Sequence, residues 1–307
     1  MAVLSNGGSA SGCNAKRGSV VNQNVAAGKS SAPSPVTSPV AQEDKNQVAG
    51  VNMKTLVVGA YGEIEQPFVA VVRDAETYAA LRELVKELPA MDASLFAENV
   101  VVAAFLGTRS TGGYGVNITR EGGSALSVSE TTPPKGAMTS QALTAPFKVV
   151  SIPVNDEESP ALQLGEAWRN ASRLYRVKEG AFTSSGGITG RGEQFKLEGD
   201  LRIARLGKLM TIAFELKGTG GNRPRDLSVT ATGLAKDDGS FSIVRLNAGT
   251  LVSPPNGGLR ATGQFDGDSN HLTLTFGPLP SNIADGFSGA GKLEAFAAGT
   301  GRGVKKK

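Results

Sequence analysis

At 307 residues the chain is long enough for two ordinary domains with cores of their own, and its 39% hydrophobic content is at the low end for a globular protein, with glycine abundant at 40 residues. Aromatic residues make up only 6%, so any core must be largely aliphatic, and the net charge of +4 includes Lys305, Lys306 and Lys307 of a basic tail over 299–307. One cysteine, Cys13, and one histidine, His271, exclude an internal disulfide and a Cys/His zinc framework, and no basic run carries the interleaved aromatics that single-stranded nucleic acid needs.

Residues 1–52 read as a disordered leader and tether, rich in Ser, Gly, Asn, Ala and Pro, with proline-spaced Ser31-Ala-Pro33-Ser-Pro35-Val-Thr-Ser-Pro39 and no apolar periodicity. Within it, Ala10-Ser11-Gly12-Cys13-Asn14 resembles the end of a bacterial lipobox, which implies Cys13 as a lipidation site. Residues 1–9 carry no charged n-region and no apolar h-region, so a start further upstream is expected to supply them. No other stretch approaches ~18 consecutive apolar residues, so the membrane is expected to be reached by the lipid anchor alone.

Order is expected from Met53. Leu56–Tyr61 and Phe68–Val72 are short β-branched runs bounded by turn residues and read as strands. Asp74 is placed to cap a helix whose apolar positions Tyr78, Leu81, Leu84, Val85 and Leu88 recur at helical spacing before Pro89 ends it. Val100–Gly107 is a continuous apolar run, as in a strand buried on both faces. The Gly112-Gly113 pair then suits a tight turn, with alternation resuming at Tyr114, Val116 and Ile118. Further strands are expected at Leu126–Glu130, Gln141–Thr144 and Phe147–Val154, with Thr132–Gly136 as a loop.

The succession Phe105-Leu-Gly107, Thr111-Gly-Gly-Tyr114, Ser129-Glu-Thr-Thr-Pro-Pro134 and Ala145-Pro-Phe-Lys-Val-Val-Ser-Ile-Pro153 resembles the C-terminal domain of the PrcB protease-complex subunit family, over about 57–154. That resemblance implies association with, and stabilisation of, a secreted protease, and it brings no catalytic residues. The loop Thr111, Gly112, Gly113, Tyr114 is the candidate partner-binding element, because loops on rigid sheets often carry recognition. It is also similar to the inhibitory loop of chagasin-type cysteine-protease inhibitors, although their Arg-Pro-Trp motif has only Ala145-Pro146-Phe147 as an analogue here.

Residues 156–192 are expected to hold a second helix and a linker. Ser159 and Pro160 suit its cap and first turn, Leu164, Trp168, Ala171 and Tyr175 its apolar stripe, with Trp168 anchoring a domain joint, and Gly180–Gly192 reads as a Ser/Gly/Thr linker. Over 193–298 the pattern is repeated alternation: Phe195/Leu197, Leu201/Ile203, Leu209–Leu216, Leu227/Val229, Phe241/Ile243, Leu259–Phe265, Leu272/Leu274/Phe276 and Leu293–Phe296, about eight strands.

Three chemical look-alikes dissolve on inspection. Gly286–Lys292 nearly spells a phosphate-binding loop, but Leu293 occupies the Ser/Thr position and the segment enters a strand. Asp266-Gly-Asp268-Ser-Asn270 begins like a calcium loop, but His271 and Gly277 stand where Gly and Glu are needed, so a β-turn is expected. His271 falls on the polar side of its strand, and no nucleophile elbow exists to partner it. The fold expected is mostly β with two helices: a small sheet or sandwich with one packed helix over 53–155, then an antiparallel sandwich or barrel. The function expected is a non-enzymatic accessory protein of the bacterial cell envelope, lipid-anchored, without cofactor or metal, which engages a partner protein. The alternatives are a chagasin-like inhibitor, or a carboxylate-based hydrolase or ligand carrier in the second domain.

Overall fold

A computed structural model describes residues 53–121, 125–153, 162–185, 192–221, 225–247, 258–279 and 288–299. The expectations for the leader with Cys13, for Ser159 and Pro160, and for the lysine tail lie outside these residues. Strands β1 (Lys54–Gly59), β2 (Phe68–Val72), β3 (Asn99–Phe105) and β6 (Phe147–Pro153) make an antiparallel sheet in the order β1-β6-β3-β2. The continuous apolar runs of β2, β3 and β6 follow from cover on both faces. Phe68, Ala70, Val72, Val101, Ala103, Phe105 and Val149 face α1 (Ala75–Leu84), with Tyr78 and Leu81 packed against them. The alternate residues Val69, Val71, Val100, Val102, Ala104, Val150 and Ile152 face a second sheet, of β4 (Gly115–Glu121), β5 (Ala125–Thr131) and β7 (Leu162–Leu164). Burial of both faces is what removes the polar alternation from a strand.

Asp74 caps α1 as expected, its carboxylate accepting from the Thr77 amide and hydroxyl at 2.8 Å each. The helix ends at Leu84, well before Pro89. The chain after it folds back on the helix, where the Tyr78 hydroxyl donates to the Pro89 carbonyl at 2.8 Å and Arg82 Nε to that of Leu88 at 3.2 Å. These bonds and the burial of Val85 and Leu88 outweigh one more helical turn.

The second half is a closed eight-stranded antiparallel barrel: β8 (Arg173–Ser185), β9 (Glu193–Leu206), β10 (Leu209–Thr219), β11 (Arg225–Ala235), β12 (Ser240–Asn247), β13 (Gly258–Phe265), β14 (His271–Pro278) and β15 (Ser288–Ala297). Each strand pairs with the next, and β15 returns to β8. The inward residues fill it: Tyr175, Phe182, Phe195, Phe214, Phe241 and Phe276 are buried among Leu and Ile from strands β9 to β15. Eight strands enclose just enough space for such side chains, and here they occupy it.

Two sequence expectations are corrected here. The second helix is only α2 (Glu166–Ala171); Leu162–Leu164 is strand β7, parallel to β5, and Tyr175 belongs to β8. Pairing with β5 satisfies backbone groups that a helix at this place would leave on an open sheet edge. Residues 180–185 of the expected Gly180–Gly192 linker are likewise strand, because barrel closure needs β8 between β15 and β9. The eight strands read from alternation therefore lacked β8, and two of them, Phe195/Leu197 and Leu201/Ile203, are one strand bent at Gly199. Gly199 has φ +136, and a Cβ there would overlap the Glu215 carbonyl oxygen.

Sheet and barrel meet along β2. The outward side chains Leu209, Thr211 and Ala213 of β10 and Thr230 and Thr232 of β11 are buried, and Leu209 belongs to the core beneath α1. The Val71 amide donates to Thr232 Oγ1 at 2.7 Å, Thr211 Oγ1 donates to the Val69 carbonyl at 2.6 Å, and the two hydroxyls are 2.7 Å apart. A hydroxyl has one proton, and that of Thr211 is spent on Val69, so Thr232 donates to Thr211. Trp168 completes the joint, buried with its indole N–H on the Phe105 carbonyl at 2.8 Å.

Candidate functional site

The closed β2 edge leaves β1 as the other edge of the four-stranded sheet, and the candidate loop lies at the end of that sheet. Thr111–Tyr114 is not a hairpin. β3 pairs with β2 and β6, whereas β4 pairs with β5, so the segment carries the chain from one sheet to the other. Such a crossing needs support of its own, and residues 132–146 provide it. The Arg109 and Thr144 amides each donate to the other's carbonyl, at 2.7 and 2.9 Å, the Gly112 amide donates to Ser140 O at 2.9 Å, and Thr144 Oγ1 donates to Thr111 O at 3.0 Å. The expected strand at Gln141–Thr144 is reduced to the isolated Arg109–Thr144 bridge, because its hydrogen bonds go to this loop.

The glycine pair serves that clamp. A Cβ on Gly112 would overlap the Ser140 hydroxyl, while Gly113 has φ +87 and a Cβ there would stand 2.9 Å from Pro133 Cβ. The close approach that glycine permits is thus taken up by the protein's own 133–140 segment. Arg109 adds a second brace: its Nε and Nη2 hold the Glu130 carboxylate at 3.1 and 3.5 Å, and its guanidinium lies 5.8 Å from the centre of the Tyr114 ring. Thr111 and Tyr114 are half-buried, Gly112 is buried and Gly113 is exposed. Tyr114 packs against the Val102–Val128 side of the fold.

Among the described residues the most exposed large apolar side chains are on the clamp, on β1 and just after β1, ahead of Leu95, Val244 and Phe296 elsewhere. Met138 is 103% exposed, Tyr61 73%, Leu143 69% and Val58 60%. The segment after β1 is tied to the end of the clamp by a parallel bridge between Tyr61 and Ala145, two residues beyond Leu143, and by the Gly62 amide donating to Ala145 O at 3.0 Å. The sequence places Val58 and Tyr61 in a strand without indicating their exposure, and gives Met138 no role. The available signal was two large apolar residues, Met138 and Leu143, in an otherwise polar segment between Pro134 and Pro146.

The other chemistry-bearing residues are structural. His271 stacks on Phe296 at 4.6 Å on the outer wall of the barrel, with Nε2 3.8 Å from Glu294. Asp266 accepts from the Asn270 and His271 amides at 3.0 and 3.1 Å, the β-turn expected there. Among the described residues no group of three or more His, Cys, Asp or Glu is placed to hold a metal. The carboxylates of Asp92, Glu198 and Asp238 are held below their ordinary values by hydrogen bonds from the Ser94 amide, the Lys196 ammonium and the Ser240 hydroxyl. A general acid needs the opposite shift.

Residues 100–153 match the family model described as PrcB C-terminal. The matched span runs from β3 to β6 and contains the crossing loop and its clamp, but stops short of β1, β2 and α1, which the resemblance had included. No curated protein matches the chain. No helix among the described residues is long and apolar enough to cross a membrane.

Proposed function

We propose that this chain is a non-catalytic accessory protein that docks a partner protein, in first place a secreted protease, on the β1 edge and the clamped loop beside it. The supporting observation is the exposure of Val58 on β1, Tyr61 just after it, and Met138 and Leu143 on the clamped loop, β1 being among the described residues the open edge of a sheet whose other edge is closed by the barrel. Aromatic and methionine side chains are enriched at the centres of protein interfaces, and an open edge strand offers backbone groups for pairing. In this reading Thr111, Gly112, Gly113 and Tyr114 hold the docking surface in shape from the inside and contribute the rim of the contact. Export and anchoring through Cys13 complete the proposal and place the docking surface in the cell envelope.

The experiment is affinity capture from the native envelope with the protein expressed from its own locus, comparing wild type with Tyr61→Ser/Leu143→Ser. The double substitution removes only exposed side chains, so folding should be preserved while recovery of a protease falls at least tenfold, about 1.4 kcal/mol. Equal recovery would place the interface elsewhere. In the same preparation Cys13→Ala should move the protein from the membrane to the soluble fraction, and a wild type already soluble would remove the anchor from the proposal.

A further inference from the structure

Arg73 follows β2 directly and is 8% exposed, and its Nε and Nη2 are buried without any hydrogen-bond partner. These two nitrogens form the side-on fork of a guanidinium, and the same fork on Arg109 is filled by Glu130. Among the described residues no acid fills it on Arg73. The neighbouring Asp74 carboxylate is committed to Thr77, and the charged group acting on Arg73 is another cation, Arg245. Burial, and then Arg245, bring the Arg73 pKa down to about 10, which still leaves the group charged at neutral pH. A buried guanidinium fork with neither counter-ion nor acceptor among the described residues is a highly unfavourable arrangement for a fold to hold.

The place is equally unusual in the barrel. The β11–β12 ladder consists of Leu234 opposite Ser242 and Ala235 opposite Phe241, next to their turn. Beyond it the β12–β13 register slips between Ile243 and Leu246, the stretch that carries Arg245, and such irregularities re-aim side chains. β2 lies against this part of β11 through the Val71–Thr232 bond, so Arg73 from the sheet and Arg245 from the irregular strand come within electrostatic reach at the joint.

We infer that Arg73, with Arg245 beside it, is a binding site for a small oxyanion at the joint of sheet and barrel, two oxygens of one phosphate, sulfate or carboxylate group filling the Arg73 fork. Arg245 is half-exposed and forms the solvent side of the site. The site is independent of the docking edge.

The test is thermal unfolding of the full chain in phosphate, sulfate or acetate against chloride at equal ionic strength. Wild type should gain several degrees in Tm, saturably, with at least one oxyanion over chloride. Arg73→Met should abolish this gain and, in chloride, melt no lower than wild type, because it keeps the apolar stem and loses the unpaired charge. Arg245→Gln should fold normally and raise the half-saturating concentration about tenfold. A gain with phosphate and sulfate assigns the site to phosphate-type ligands, and a gain with acetate alone to a carboxylate. Equal melting of wild type in all four salts overturns the inference, as does an Arg73→Met protein that responds like wild type. If Arg73→Met does not fold, an unchanged response in Arg245→Gln overturns it.

Discussion

Thr232 and Thr211 look interchangeable with valine by shape and by their place on a β-strand, yet each has a job that valine cannot do. They carry hydrogen bonding in one direction, from the Val71 amide through both hydroxyls to the Val69 carbonyl, so the β2 edge is satisfied without another strand. Thr232→Val leaves a buried amide with no acceptor and should destabilise the protein by about 1–3 kcal/mol in urea unfolding. Thr211→Val leaves a carbonyl without its donor and belongs to the same chain of bonds. The double substitution should therefore cost clearly less than the sum of the two singles. Additive costs would mean that the two hydroxyls act separately. Tyr114 illustrates the same dependence on surroundings: beside Arg109 it is half-buried, between an exposed side chain and a core anchor.

Strand β9 shows what a glycine can hide at the scale of an element. Its two apolar pairs look like separate strands because Gly199 and Asp200 interrupt the alternation, and glycine followed by aspartate is an ordinary turn signal. In the barrel the chain continues through that point with Gly199 opposite Leu216, bending the wall where it must curve. Gly199→Ala should destabilise the barrel by at least about 3 kcal/mol, combining an unfavourable φ with a clash against the Glu215 carbonyl. A variant within 1 kcal/mol of wild type by urea unfolding would show that β9 can straighten, contrary to this account.

Residues 47–307 form one unit by their contacts, although composition divides them into a sheet region and a barrel. Joints between domains are usually polar and permissive of motion, but this one buries Leu209, Ala213 and Trp168 and completes the hydrogen bonding of β2. Neither part has a finished surface without the other. Calorimetry of the whole chain should accordingly show one cooperative transition in which sheet and barrel unfold together. Two transitions separated by ten degrees or more would mean that the joint does not couple them.

Local patterning was sufficient for much of the architecture. Phe68–Val72 is strand β2 residue for residue, Asp74 caps its helix, and Leu272, Leu274 and Phe276 line the barrel, because period and capping act within a few residues along the chain. The mostly β fold, an antiparallel second half that patterning left as either sandwich or barrel, and the likeness of 100–153 to the PrcB C-terminal family were legible for the same reason. What lay beyond the sequence depends on partners distant along it. Whether Gly180 is linker or strand is decided by Leu293, its partner across the closing seam, and whether Leu162–Leu164 is helix or strand by the free edge of β5. The exposure of Tyr61 and Leu143 and the empty fork of Arg73 are of the same kind, since apolar and charged side chains acquire a surface or an interior only when the sheets assemble around them.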